Sequence, residues 1–177
     1  FPLYHYVNAT VPSDTKVEDS LTYEMLLASD VAIEAKPFSV GMRIEHLQSD
    51  IDTAMYGKYA GHPALGHAEY TLSSDTKTRG VYTFCMCPGG VVVNAASENK
   101  GIVTNGMSYA DRGGENANAA LLVTLNPRDF PSDDPLAGMY WQRQLEQKAY
   151  AVSGSYKAPA QKVGDFLKGQ PSQGAGK

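Results

Sequence analysis

The chain has 177 residues, of which 42% are hydrophobic, and a formal net charge of −4 at pH 7. This length suits one ordinary domain with a hydrophobic core or two very small ones, and the acidic balance argues against a nucleic-acid partner. No apolar run approaches the roughly 18–20 residues that a membrane-spanning helix needs, so no membrane association is expected. The chain has only two cysteines, too few for a disulfide framework, which favours a cytoplasmic protein.

The N-terminal part of the chain predicts a helix followed by a strand. Phe1 to Val7 has the composition of a short aromatic strand, whereas the rest of residues 1–20 lacks periodicity and is typical of a loop. Residues 21–30 carry apolar side chains at helical spacing. Apolar and polar residues then alternate, which predicts a half-buried strand. Its inward residues are Phe38, Val40, Met42 and Ile44.

The segment that follows predicts a second helix and then a β-rich region. The helix covers residues 48–56, and its predicted inward side chains are Ile51, Ala54 and Met55. Glycine-containing turns separate the short strands after it. The predicted strands cover residues 68–73, 80–87, 91–96, 101–106 and 119–125. Short strands at this spacing favour an antiparallel meander over a parallel series with crossover helices.

The C-terminal third of the chain predicts helices. Residues 135–152 form a helix with Pro135 in its first turn, and residues 158–167 form another, with Val163, Phe166 and Leu167 on its apolar side. Residues 169–177 have the composition of a flexible tail.

Together these patterns predict an α+β fold, either an antiparallel β-barrel or a bent sheet, with helices packed at the ends and a helical C-terminal part. The predicted organisation is an N-terminal segment (1–20), a mainly antiparallel β-domain (21–134), a helical segment packed on it (135–168) and the tail (169–177).

Both cysteines lie in Tyr82-Thr-Phe-Cys-Met-Cys-Pro-Gly-Gly90, at the end of a predicted strand. Residues i and i+2 of a strand point to the same face, so Cys85 and Cys87 are expected side by side. The Pro-Gly-Gly that follows ends the strand and lets the backbone turn or approach a ligand closely. The cysteines are then a redox pair, one wall of a cofactor pocket, or small buried side chains of a β-core. A disulfide between residues i and i+2 fits extended backbone poorly, so free thiols are expected.

Two further groups of residues are candidates for binding. Arg43 and Glu45 share a strand face near His46, and they form either an exposed charge pair or a site where the guanidinium binds an anionic group. Residues 105–118 form the longest loop without apolar periodicity, either a mobile surface connection or a functional loop on a rigid scaffold. The usual nucleotide-binding and hydrolase motifs are missing from the sequence. The four histidines are scattered, so no metal site is expected.

Four ordered blocks of the sequence resemble a family of bacterial flavoproteins described as uncharacterised FAD-dependent dehydrogenases. The blocks are Lys36–His46, Tyr82–Gly90, Val103–Tyr109 with Gly114–Asn118, and Ala158–Leu167. The match runs in one consistent order from about residue 21 to residue 172, whereas residues 1–20 do not follow the family pattern.

The resemblance implies a role within a longer flavoprotein. Members of the family carry an FAD-binding Rossmann domain of the glutathione-reductase type, and a region like this chain is inserted in it. The chain is then expected to be an excised insertion domain, consistent with its start at Phe1, that caps the flavin and helps to form the substrate site. FAD is expected in the full-length protein and not on this chain alone, which is expected to be inactive.

The expected partners are the Rossmann domain of the same full-length chain and an unknown small-molecule substrate. The candidate cofactor-facing or substrate-site residues are Cys85, Cys87, Pro88, Gly89, Gly90, Arg43, Glu45, His46, Asn105, Glu115 and Asn116. The alternative is a free-standing, non-catalytic β-domain that binds a protein or a small ligand.

Overall fold

The computed structural model describes residues 19–173 of the chain. The strand predicted at Phe1 to Val7 and the last four residues of the predicted tail lie outside this range. The helices and strands are α1 (Asp19–Ala28), β1 (Phe38–Leu47), α2 (Gln48–Tyr56), β2 (Ser73–Asp75), β3 (Gly80–Cys87), β4 (Gly90–Asn94), β5 (Thr104–Ser108), β6 (Asn116–Leu125), α3 (Ala137–Ser153) and α4 (Val163–Leu167). Within the described range, none of the helices has the length and apolar character needed to cross a membrane.

The described residues divide into two compact units. The first consists of Pro37–Val93 and Thr104–Leu125. The second consists of residues 19–36, Asn94–Val103 and residues 126–173. All candidate residues named from the sequence belong to the first unit, which also contains the four-stranded sheet.

The first unit is built on open antiparallel sheets. The larger sheet has the strand order β1-β6-β3-β2, and β4 pairs with β5 in a separate two-stranded sheet. This confirms the predicted α+β class with an antiparallel sheet, and the strands described here do not close into a barrel. The predicted meander is wrong, because β6 lies between β1 and β3. It pairs with β1 over ten residues, from Phe38↔Leu125 to Leu47↔Asn116.

Several element bounds differ from the sequence prediction. The strand predicted at residues 68–73 is absent apart from Ser73, where the three-residue strand β2 begins. The helix predicted at 158–167 is shortened to α4, because the residue before it, Lys162, has an extended ψ of 133°. The predicted loop 105–118 is also shorter, since its two ends belong to β5 and β6. Strand pairing overrides the turn-like composition of those ends.

Some faces predicted to be buried are exposed. On α2 the buried residues are Gln48 and Asp52, whereas Met55, predicted inward, is 56% exposed. Met42 on β1 is likewise 56% exposed. The apolar side predicted for the last helix is also exposed, at Val163, Phe166 and Leu167.

The core of the first unit consists mostly of small side chains. On β6, Ala117, Ala119 and Ala120 are buried, and Asn118 between them is fully buried. Small residues let neighbouring backbone approach the sheet closely. Because Asn118 is buried among these alanines, its side-chain amide must find hydrogen-bond partners inside the protein.

Candidate functional site

A β-bulge redirects the side chains at the end of β3. This strand pairs with β6 up to Phe84 and again at Cys87, and between these positions it has two residues where β6 has only Ala119. The first of the two, Cys85, has a φ of 48°, a left-handed conformation that non-glycine residues rarely adopt. Bulges bend a strand and re-aim its side chains.

The two thiols are neighbours, although not through regular strand alternation. Their Sγ atoms lie 3.9 Å apart. Cys85 is exposed and Cys87 is buried, and both are free. Because the bulge adds one residue, Cys87 lies on the sheet face of Phe84, so the sulfurs lie side by side as expected, but through the bulge and not through regular alternation. The extra residue gives one accessible and one shielded sulfur in contact.

The guanidinium of Arg43 holds the bulge from the neighbouring part of the sheet. Its Nη2 donates to the backbone oxygen of Cys85 at 2.7 Å and lies 3.6 Å from Sγ of Cys87. Its Nε donates to Oδ1 of Asn118 at 2.7 Å. Gly106 on β5 makes room for this arrangement, because a Cβ there would overlap both Nη2 and Oδ1. A fixed cation therefore faces the buried sulfur.

Arg43 and Glu45 do not form the charge pair that their spacing suggested. The carboxylate of Glu45 instead accepts a hydrogen bond from Nδ2 of Asn116 at 2.9 Å. His46 lies on the opposite face of the sheet, with its Nε2 2.7 Å from the hydroxyl of Tyr70. Arg43 is thus directed to the cysteines, and His46 is separated from them by the sheet.

Burial raises the pKa of the Cys87 thiol, and the adjacent Cys85 raises it further, whereas Arg43 and the Ser108 hydroxyl lower it without cancelling the effect. The net pKa lies above the ordinary value for a cysteine. At neutral pH the buried sulfur is therefore a thiol, and a thiolate forms there only at higher pH or when its environment changes.

A buried polar cluster connects α2 to two neighbouring loops. The side-chain amide of Gln48 donates to Oδ1 of Asp52 at 2.8 Å and to the backbone oxygen of Ala68 at 3.1 Å. Its Oε1 accepts from the backbone N–H of Gly89 at 2.9 Å. Asp52 also accepts from the N–H of Ala68 at 2.7 Å and lies 3.2 Å from Nδ1 of His67. The cluster fixes the glycine turn after β3.

The pKa of Asp52 follows from the same cluster. Burial acts to raise it, but the hydrogen bonds from the Ala68 N–H, the Gln48 amide and His67 together lower it below its ordinary value. Hydrogen bonding to the charged form therefore outweighs desolvation. The carboxylate is the form that the folded structure favours.

The Pro88–Gly90 turn is packed against the protein's own backbone. Gly89 has a φ of 55°, and a Cβ there would overlap the carbonyl of Arg112. Gly114 donates its N–H to the oxygen of Gly89 at 3.2 Å, and Ser108 donates its hydroxyl to the oxygen of Pro88 at 2.8 Å. The space next to these glycines is occupied by protein, and all three residues of the turn are buried.

Of the remaining candidates, Asn105 lies on β5 and Glu115 lies in the connection between β5 and β6. Asn105 and Glu115 are exposed. The side-chain Oδ1 of Asn105 accepts a hydrogen bond from the N–H of Gly106 at 2.8 Å. The backbone oxygen of Glu115 accepts from the N–H of Gln48 at 2.9 Å. A shallow depression in this connection is lined by Tyr109, Ala110, Asp111, Gly113 and Gly114.

The structure thus brings together Arg43, both cysteines and the Pro88–Gly90 turn, and it leaves His46 and Asn105 outside this group. Sequence reasoning did not identify Gln48, Asp52 or Asn118 as part of the site. One signal was present, since a polar residue within a run of alanines on β6 needs a partner when it is buried.

Two side-chain nitrogens are buried without a hydrogen-bond partner among residues 19–173, Nδ1 of His46 and Nδ2 of Asn118. Asn118 lies against the guanidinium of Arg43. Burying the unpaired Nδ2 of Asn118 costs free energy, because this group loses its hydrogen bonds to water and gains none in the protein.

The described residues do not fit a complete site for a dinucleotide cofactor. Such sites place a glycine-rich turn and free N–H groups of a helix start against the diphosphate. Here the Pro88–Gly90 turn is filled by backbone, and the first N–H of α2 is bonded to Glu115. Within residues 19–173 there is also no group of three or more His, Cys, Asp or Glu side chains arranged to hold a metal ion.

Comparison with known proteins identifies a family and a similar protein. The family described as "FAD-dependent protein, C-terminal domain-like" matches residues 37–177. The chain is also similar to a protein of Clostridium beijerinckii (strain ATCC 51743 / NCIMB 8052), which bears the name "Uncharacterized protein". The two are 52% identical over 154 residues, which cover 85% of this chain and 29% of that protein. The chain therefore spans less than a third of the length of this relative.

Proposed function

Because the chain belongs to the family described as FAD-dependent protein, C-terminal domain-like, we propose that it is the inserted cap, or substrate-site, domain of an FAD-dependent oxidoreductase. The FAD-binding Rossmann domain, of the glutathione-reductase type, belongs to another part of the full-length chain. The 177 residues by themselves are inactive in this proposal.

The observation that carries the proposal is the combination of the family match with the length of the relative. Residues 37–177 match the family. A relative that is 52% identical is much longer than this chain, since the 154 aligned residues cover 29% of its length. A dinucleotide site needs an element that the described residues do not supply, which supports placing it in the remainder of the full-length protein.

Within this proposal, the bulge of β3 is the surface offered to the flavin or the substrate. FAD, when bound, supplies the hydride chemistry, and the protein supplies orientation and electrostatics. The exposed thiol of Cys85 and the half-buried side chain of Met86 are accessible at the bulge. The Pro88–Gly90 turn that follows them is buried, and its hydrogen bonds to Gln48 and Ser108 hold it in place.

The test uses the full-length protein that contains this chain. We expect it to purify with about one FAD per chain, and we expect Cys85→Ser with Cys87→Ser to change the rate of flavin reduction more than the free energy of unfolding. Val152→Ser, at a side chain that is 78% exposed on α3, is the control substitution and should change neither.

Two results would contradict the proposal. A full-length protein that takes up no flavin during expression or reconstitution would remove the assignment as a flavoprotein domain. Equal flavin reduction by the double variant and the wild type would remove the bulge from the substrate site.

One observation favours the alternative of a non-catalytic binding domain. Met42 and its cross-strand neighbour Leu121 are 56% and 36% exposed on one face of the sheet, and adjacent exposed apolar side chains can serve as a binding surface. This alternative would be preferred if the full-length protein contains no FAD.

A further inference from the structure

We propose that Cys85 and Cys87 form a dithiol–disulfide couple that reacts with low-molecular-weight disulfides, with Cys85 as the entry thiol, Cys87 as the resolving thiol and Arg43 as the group that stabilises the resolving thiolate. The couple uses only residues of this chain and no flavin. It therefore goes beyond the cap-domain assignment and does not depend on it.

The geometry of the bulge supports the pairing. The Sγ atoms are 3.9 Å apart, and a disulfide requires about 2.0 Å, so the two sulfurs must move closer by roughly 2 Å to form the bond. The objection from extended backbone does not hold here, because Cys85 has a φ of 48° and is not extended. The bulge is therefore a local conformation that places the two sulfurs in contact.

The difference in exposure assigns the two roles. Cys85 is exposed, whereas Cys87 is 6% exposed and lies beneath it. A soluble disulfide reaches the first sulfur from solvent but not the second. The buried sulfur in turn has one neighbour that it can attack, which is the sulfur of Cys85.

Arg43 is placed to assist the second step as a positioning and charge-stabilising residue. Its Nη2 lies 3.6 Å from Sγ of Cys87 and also donates to the backbone oxygen of Cys85. The same nitrogen thus holds the bulge and faces the sulfur on which negative charge develops. A cation next to a thiol favours the thiolate.

The chemistry proceeds in two exchanges. In the first, the Cys85 thiol loses its proton to solvent and its thiolate attacks a disulfide R–S–S–R. The S–S bond breaks, and one R–S⁻ leaves and takes up a proton from solvent. In the second, Cys87 loses its proton to solvent, its thiolate attacks the sulfur of Cys85, and the second R–S⁻ leaves and takes up a proton. Two protein thiols are oxidised to one disulfide, and one small disulfide is reduced to two thiols.

The main experiment needs no substitution. The reduced chain is incubated with glutathione disulfide, and the remaining thiols are alkylated. The mass of the tryptic peptide of residues 80–100 is then measured by mass spectrometry. This peptide contains both cysteines and no internal Lys or Arg. We expect its mass to be lower by two hydrogens than the mass of the reduced, unalkylated peptide, with neither glutathione nor alkyl groups attached. After treatment with dithiothreitol, it should again have two thiols that can be alkylated.

Two variants test the order of the steps. Cys87→Ser should stop at the mixed disulfide and retain one glutathione on Cys85. Cys85→Ser should react at least about tenfold more slowly than the wild type, because its remaining thiol is buried. Persistent glutathione on the wild-type peptide, or a disulfide between two chains in place of the internal one, would overturn the proposal.

The role of Arg43 is tested by the pH profile of ring closure. Arg43→Gln keeps a hydrogen-bond donor but removes the charge. The pH at which the rate of the second step rises should therefore be higher by about 0.5–1 unit than in the wild type. Arg128→Gln, at an exposed residue in the second unit, is the matched control and should leave the profile unchanged. An unshifted profile in Arg43→Gln would overturn the role assigned to this residue.

These outcomes are separate from those of the cap-domain proposal. A chain that forms no internal disulfide would leave the flavoprotein assignment intact. A full-length protein without FAD would leave the couple intact, because ring closure is measured on this chain with glutathione disulfide alone.

Discussion

Two glycines with a positive φ differ in the space around them. Gly89 has a φ of 55°, and Gly154, which follows α3, has a φ of 63° and a left-handed backbone. A Cβ at Gly89 would overlap the carbonyl of Arg112, whereas nothing lies within 4 Å of a Cβ at Gly154. The pair separates the cost of steric overlap from the cost of a positive φ.

We expect Gly89→Ala to lower the free energy of unfolding by about 3 kcal/mol or more, since the backbone of the turn must shift. Gly154→Ala should cost only the backbone strain of the left-handed conformation, about 1–2 kcal/mol. Urea unfolding followed by circular dichroism measures both. Equal losses in the two variants would contradict the close packing of the glycine turn.

Asp52 predicts a dependence of stability on pH. Its pKa is lower in the folded protein than its ordinary value, so its contribution to stability is present above the unfolded-state pKa of about 3.9 and is lost as pH falls through the folded-state pKa. Asp52→Asn keeps an acceptor oxygen but does not titrate. The difference in unfolding free energy between wild type and variant should therefore be largest near neutral pH and shrink below about pH 4.

Urea unfolding at several pH values measures this difference. Asp50→Asn removes a carboxylate from an exposed position of the same helix and controls for the change in net charge. A difference for Asp52→Asn that stays constant down to about pH 3 would contradict the depressed pKa.

The side chain of Gln48 connects helix α2 to its surroundings. Gln48 is 3% exposed and bonds to Asp52, Ala68 and Gly89. We expect Gln48→Ala to lower the free energy of unfolding by about 2–3 kcal/mol, because the substitution leaves buried backbone groups without partners. Gln147→Ala, at an exposed position of α3, should change it by less than about 0.5 kcal/mol. A loss no greater than that of the control would show that the cluster does not anchor the helix.

Elements with strong local signals were predicted well from the sequence. The helix at residues 48–56 and the strand at residues 80–87 have the predicted bounds in the structure. Their signals, helical spacing and a β-branched and aromatic run, lie within the segments themselves. The polar inner face of α2 was not predictable in the same way. Two of the partners of Gln48, Ala68 and Gly89, lie 20 and 41 residues away in the chain, and periodicity carries no information about them.

At the scale of the whole molecule, strand order was the part of the fold that sequence pattern left undetermined. Alternation predicts that Phe38 to Ile44 forms a strand, but it does not name the partner, and β1 pairs with β6 across some seventy intervening residues. For the site, the sequence predicted that the two cysteines are neighbours. It could not predict the bulge that makes them so, because the extra residue is defined only by the pairing of β3 with β6.

The isolated chain is expected to bind FAD weakly or not at all, because its glycine turn is filled by the backbone of residues 112–114. Titration of FAD with the purified chain should leave flavin fluorescence unquenched, and free riboflavin provides the control for non-specific effects. A dissociation constant in the low micromolar range, about −7 to −8 kcal/mol of binding free energy, would contradict the expectation.

The bulge in β3 also bears on how this protein can change over evolution. The contact between the two sulfurs depends on the number of residues between Phe84 and Cys87, and not only on their identity. Loss of one residue there would restore regular pairing with β6 and turn the side chains to new faces. A descendant could then retain both cysteine codons and still lose the pair, whereas one that keeps the spacing but replaces Met86 would preserve it. In this protein a deletion is therefore a more severe event for the sulfur pair than most substitutions next to it.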